Sequence, residues 1–166
     1  LARVSLELGG KNPFVVCNDA NMDQAIHWAS LSAFSNAGQR CAAGSRIIVF
    51  RDIYDKFLEK LVNKAKSLKL GVDIDCDLGP VINQRQQENI LAAIQEAKAD
   101  GGVILCGGYA PDDTKLKNGY YVCPTIIDGL SPDAKLSCNE IFGPVVTVYP
   151  VNEMDEALEL SNRGGY

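Results

Sequence analysis

The chain has 166 residues, enough for one domain with its own core, and at 46% hydrophobic and 22% charged it has the make-up of a soluble globular protein. A net charge of −5 leaves no electrostatic footprint for nucleic acid or an anionic membrane. No apolar run reaches the length of a membrane span, so neither nucleic acid nor membrane is expected as a partner.

Leu1 is not a natural start, and Asn162-Arg163-Gly164-Gly165-Tyr166 reads as the middle of a loop. The sequence is therefore expected to be a piece of a longer protein, incomplete at both ends, and a targeting signal before Leu1 would not be visible. The six cysteines (Cys17, Cys41, Cys76, Cys106, Cys123, Cys138) form no CxxC, and their spacing is too scattered for a zinc cluster. A chain this long and apolar does not need disulfides, so free thiols in the cytoplasm or another reducing compartment are expected, with no metal.

In chain order, Phe14 to Cys17 predicts a buried strand, entered from a tight turn at Gly9-Gly10-Lys11-Asn12-Pro13. Asn21, with Gln24 three residues on, predicts a capped helix whose apolar face is Ala25, Ile26, Ala29 and Ala33, stopping at Gly38. A strand from Arg46 to Phe50 follows, then the clearest helix, with Ile53, Phe57, Leu58, Leu61, Val62, Ala65 and Leu68 at helical spacing. Gly71 to Pro80 is an acidic loop. Asn83 and Gln86 repeat the capping pattern ahead of a helix that buries Ile90, Leu91, Ile94 and Ala97 and ends at Gly101-Gly102. Val103 to Cys106 predicts a strand, residues 107–120 an exposed loop, and Tyr121 to Ile127 an extended segment. Val145 to Val151 predicts the last strand, and Asn152 the cap of a helix through Ala157, Leu158 and Leu160. Short strands, apolar on both faces and alternating with amphipathic helices, predict an α/β fold: a mostly parallel sheet with helices on both faces.

Three stretches carry possible chemistry. The first to draw notice is Ser35-Asn36-Ala37-Gly38-Gln39-Arg40-Cys41-Ala42-Ala43, which puts a cysteine among small residues at a helix-to-strand junction. That suits a nucleophile a substrate can approach; it equally suits a buried structural thiol. A nucleophilic thiol needs activation. The single histidine, His27, lies mid-helix, and the helix C-terminus before Cys41 carries negative partial charge, so help must come from a bound cation or from elsewhere. The second stretch, Leu6-Glu7-Leu8-Gly9-Gly10, sets a carboxylate between two leucines. Apolar surroundings there would suit a general base, while an edge-strand glutamate facing water reads equally well. The third is Asn139-Glu140-Ile141-Phe142-Gly143-Pro144. Glu140 and Phe142 share a face if extended, and there they can bind a sugar diol and stack on a ring; an ordinary turn is the alternative.

Together these motifs resemble the NAD(P)-dependent aldehyde dehydrogenase superfamily. The resemblance lies in Leu6-Glu7-Leu8-Gly9-Gly10-Lys11-Asn12-Pro13, Phe34-Ser35-Asn36-Ala37-Gly38-Gln39-Arg40-Cys41 and Glu140-Ile141-Phe142-Gly143-Pro144-Val145, in that order and separated by 34 and 99 residues from Glu7 to Cys41 to Glu140. It covers the whole chain, including Gly79-Pro80 and Gly107-Gly108.

The resemblance implies that residues 1–166 are a cysteine-bearing catalytic domain whose dinucleotide-binding domain lies outside this chain. It implies NAD or NADP as cofactor, a small-molecule aldehyde as substrate and a homo-oligomer as the full-length protein. By the same resemblance Cys41 adds to the aldehyde to give a thiohemiacetal, hydride passes to the nicotinamide, and Glu7 activates the water that hydrolyses the thioester. The oxidised nicotinamide then supplies the positive charge that His27 cannot. Glu140 would hold the cofactor's ribose, Phe142 would pack by the nicotinamide, the Cys41 N–H would form half of an oxyanion hole, and Leu8 and Gly9 would line the cofactor's path. Two other readings are an enzyme that passes the acyl group to coenzyme A and a non-catalytic folding or association fragment. Glu7 favours water over coenzyme A. Asn89 departs from the lysine expected in relatives. The fragment alone is expected to be inactive.

Overall fold

The computed structural model describes residues 2–166. Asn12–Val16 (β1), Gly44–Phe50 (β2), Val103–Cys106 (β3), Thr125–Asp128 (β4) and Val145–Val151 (β5) form one sheet in the order β1-β2-β5-β4-β3. Every pairing is parallel except β3 with β4, so the mostly parallel sheet is present, with an antiparallel edge. The helices are α1 (Met22–Phe34), α2 (Arg51–Ser67), α3 (Gln84–Ala99), α4 (Lys135–Cys138) and α5 (Met154–Asn162).

Alternation along the central strands divides the core. Ile47, Val49, Val146 and Val148 join Ile26, Ala29, Phe57 and Leu61 of α1 and α2 on one face. On the other, Ile127 and Val145 pack with Ile90 and Ile94 of α3, and Ile48, Tyr149 and Val151 with Ala157 of α5. Both faces are thus covered, as the sequence predicts. The edge strand β1 alternates between buried and exposed positions, with Val15 exposed and Val16 buried, because no further strand flanks it among the described residues.

Several local expectations need correction. The helix entered at Asn21 stops at Phe34, not Gly38: Asn36 and Ala37 take left-handed φ of 53° and 52°, which break the helical path before Gly38 is reached. The Asn21 and Asn83 caps form, each accepting from the backbone N–H three residues on. Asn152 does not cap α5. Glu153 is the boundary residue, and the Glu156 carboxylate instead accepts from the Asn152 N–H at 2.6 Å. The extended segment 121–127 is a strand only from Thr125, where the chain comes into register with Val145. Strand β1 begins at Asn12, and residues 2–11 carry no regular structure, so no tight turn precedes it. The short α4 went unpredicted, since one turn carries no periodicity.

Candidate active site

The parallel sheet carries the three motifs, far apart in sequence, to one end of β1, β2 and β5. Cys41 lies in the loop between α1 and β2, two residues before the buried Ala43, and its side chain is exposed. Asn12, the first residue of β1, ties this loop to the first motif: its Nδ2 donates to the Cys41 carbonyl at 2.6 Å and to the Ala43 carbonyl at 3.2 Å. Arg40 turns back and donates to the Leu31 and Ser32 carbonyls at 3.1 and 2.8 Å. A cation thus sits against the C-terminal carbonyls of α1, offsetting the negative helix end expected beside Cys41. Gln39 anchors the loop on its other side, donating to Pro80 and accepting from the Ile82 N–H.

The third motif closes on both of the others. A Cβ added to Gly38 would overlap the Gly143 carbonyl, so only glycine lets these segments meet; its φ of +69° demands glycine as well. The Glu140 carboxylate lies over the glycine pair: Gly10 N–H donates to Oε1 at 3.4 Å, and a Cβ on Gly9 would come within 2.8 Å of Oε2. A cleft lined by Gly10, Gly38, Arg40, Glu140, Phe142 and Gly143 results.

The structure changes two details of the expected site. Phe142 has a left-handed φ of +53°, so it and Glu140 do not share a face as alternating extended residues. Its ring is exposed, and the loop is held by Gln86 Nε2, which donates to the Ile141 and Phe142 carbonyls at 2.9 and 3.1 Å. Gln86 therefore does not return to its cap as a capping box requires, although its backbone N–H does reach Asn83. Glu7 and Leu8 stand on the irregular segment before Gly9, exposed, and make no side-chain hydrogen bond to the other motifs among the described residues. Leu6 and Leu8 are exposed too, so the apolar surroundings expected for Glu7 do not form there.

Several residues at this junction were not singled out from sequence. Asn12 and Lys11 lay within a motif but had no role, while Gln86 and Arg46 lay outside. Arg46, buried on β2, donates to the carbonyls of Lys11, Leu160, Ser161 and Arg163, fastening the end of α5 to the start of β1. An arginine directly before the apolar run Ile47-Ile48-Val49, inside the same predicted strand, was the available signal. Lys11 is buried as well, with no hydrogen-bond partner for its Nζ among the described residues.

The residues suit a dinucleotide's nicotinamide end on their own chemistry. Glu140 offers two acceptor oxygens over a glycine cradle that side chains would fill, and Phe142 presents an exposed ring beside it. Against known proteins, a model of the Aldehyde dehydrogenase family matches residues 1–166. The chain is 41% identical over 165 residues to a chloroplastic betaine aldehyde dehydrogenase of Beta vulgaris, covering 98% of this chain and 33% of that protein. It is 38% identical to an alpha-ketoglutaric semialdehyde dehydrogenase of Bacillus subtilis, covering 97% of this chain and 33% of that protein. Among solved structures, betaine aldehyde dehydrogenase of Staphylococcus aureus in complex with NAD+ superposes with a TM-score of 0.93 at 40% identity, covering 95% of this chain and 32% of that one. The chain spans about a third of the length of the relatives it matches.

Proposed function

The chain belongs to the aldehyde dehydrogenase family, and from that premise we propose that it is the cysteine-bearing catalytic part of an enzyme that oxidises an aldehyde to a carboxylic acid with NAD(P)+. Residues 1–166 carry the nucleophile and the base, and a dinucleotide-binding part of the longer protein supplies most of the cofactor's contacts. The meeting of the three motifs at one end of the sheet is the observation that supports this reading.

Cys41, exposed in a loop pinned by Asn12 and Gln39, attacks the aldehyde carbon and forms a thiohemiacetal. Its own backbone N–H donates to the developing oxyanion. The nicotinamide, when bound, supplies the hydride acceptor and a nearby positive charge. Loss of hydride from the thiohemiacetal carbon leaves a thioester on Cys41. Glu7 takes a proton from a water that attacks this thioester, and the thiolate departs as the acid forms. Glu140 would accept from the ribose hydroxyls, Phe142 would pack beside the nicotinamide, and Leu8 and Gly9 would line the approach. The full-length protein works as a homo-oligomer on a small-molecule aldehyde.

The presence of a glutamate at Glu7 favours hydrolysis over transfer to coenzyme A. In the full-length protein, Cys41→Ser abolishes aldehyde-dependent NADH formation. Glu7→Gln allows one burst of NADH and then stalls with acyl-enzyme trapped, detectable as added mass on Cys41. Undiminished acid production by Glu7→Gln would sink the base assignment, and coenzyme A-dependent turnover would establish the acyl-transfer alternative.

A further inference from the structure

The backbone of the third motif is held by different anchors in succession. Cys138 and Asn139 donate their N–H groups to the Ala134 and Lys135 carbonyls at 3.1 and 2.9 Å, the last bonds of the α4 turn. Ile141 and Phe142 are held through their carbonyls by Gln86. Glu140 lies between, past the end of the helix, and its N–H donates to a side chain 26 residues on, the hydroxyl of Tyr166, at 3.1 Å. A second contact brings the same two residues together. A Cβ on Gly9 would stand 2.8 Å from Glu140 Oε2 and 3.2 Å from Tyr166 Cε1, so the carboxylate and the edge of the ring meet over one glycine.

Tyr166 is itself delivered by a tie to the sheet. Arg46 on β2 donates to the carbonyls of Leu160, Ser161 and Arg163, so the chain leaves α5 on a fixed path, turns at Gly164 with a φ of +134° and brings the ring to Glu140. The Glu140 carboxylate needs such a hold. Its own hydrogen bond, from the Gly10 N–H, is 3.4 Å long, too long to fix an orientation alone, so its placement follows from its backbone. We infer that Tyr166 is a positioning residue for the cofactor: by accepting from the Glu140 N–H and covering Gly9, it fixes the backbone from which the carboxylate reaches the ribose beside the nicotinamide. The inference rests on the reading of Glu140 given above. Tyr166 lines a neighbouring cavity with Gly9, Gly10, Lys11 and Arg46, whereas Glu140 and Phe142 line the cleft, so it acts through Glu140.

The test measures NAD+ binding to the full-length protein by calorimetry, with no aldehyde present, beside amide hydrogen exchange at the Glu140 N–H. Tyr166→Phe keeps the ring and removes the acceptor, and because Tyr166 is 67% exposed the change leaves the core untouched. It is expected to raise the Kd for NAD+ about fivefold, the loss that one net hydrogen bond allows, and to speed exchange at Glu140 by about the same factor. The Kd for ADP, which lacks the ribose beside the nicotinamide, stays at the parent value; a general loosening of the fold would weaken both ligands alike. Glu140→Gln also raises the Kd for NAD+, and adding Tyr166→Phe to it raises it no further, because both act through one carboxylate. Equal losses for ADP and NAD+, additive losses in the double variant, or unaltered exchange at Glu140 each overturn the inference. So does a Kd for NAD+ unchanged in Tyr166→Phe beside a raised one in Glu140→Gln. An unchanged Kd in Glu140→Gln overturns the reading of Glu140 and the inference with it.

Discussion

Replacing Lys11 with methionine should make this fold more stable at neutral pH. The lysine is 4% exposed, its Nζ is unpaired among the described residues, and its pKa falls from 10.5 to about 8, chiefly through burial and next through Arg46. At about 1.4 kcal/mol for each tenfold change in proton affinity, that difference costs the folded state roughly 3 kcal/mol. The sign follows from the proton count. Between pH 8 and 10.5 the unfolded chain holds a proton on Lys11 that the folded chain has released, so folding becomes easier as pH rises. Below pH 8 both states are protonated and the whole penalty applies. Lys11→Met removes it, and the gain should therefore be about 3 kcal/mol at pH 7, shrinking steadily toward pH 10.5. Urea unfolding of parent and variant at pH 7, 8, 9 and 10, followed by far-UV circular dichroism, measures the difference directly. A variant less stable at pH 7, or a difference that does not change with pH, would refute the reasoning.

Three further outcomes are expected. Gly38→Ala should lose roughly 2–4 kcal/mol in urea unfolding, because the new Cβ meets the Gly143 carbonyl at a left-handed φ; a loss under half a kcal/mol would show that the two segments separate freely. Arg46→Met should cost about 3 kcal/mol and speed amide exchange at the end of α5, since the carbonyls of Lys11, Leu160, Ser161 and Arg163 lose their donor. Unaltered exchange there would mean that the tie is not what holds the segment. Limited treatment with a small alkylating agent should label Cys41 first, as it is the exposed thiol of the six, while burial pushes the Cys106 and Cys123 thiols up and slows them. A first adduct on any other cysteine in peptide mass mapping would contradict the placement.

The periodic elements were legible because they obey local rules. The stripe of α2 and the apolar run of β5 carry their own pattern, and the Asn21 and Asn83 caps need only three residues to declare themselves. Expectations failed where a distant partner decided the outcome. Gln86 passes its side chain to the Phe142 loop, 56 residues away, instead of to its own cap. Asn152 accepts no capping role because Glu156 reaches back to it. Phe142 leaves the extended conformation where the third motif folds back against the second.

By itself the sequence determined the alternation of strands and helices and the two-faced burial, because residue type and spacing are local properties; the candidates Glu7, Cys41, Glu140 and Phe142 were singled out by the resemblance their motifs carry. It also marked Gly9 and Gly10 as a turn and Gly38 as a helix stop. Only the tertiary structure decided what approaches them: the Glu140 carboxylate over the first pair and the Gly143 carbonyl against Gly38. Likewise, nothing in the spacing of Lys11 and Arg46 tells that both are buried, one with every side-chain donor placed and the other with no partner for its ammonium among the described residues. Burial is a property of the assembled sheet, and it turns two ordinary cations into a structural tie and a charge beside the site.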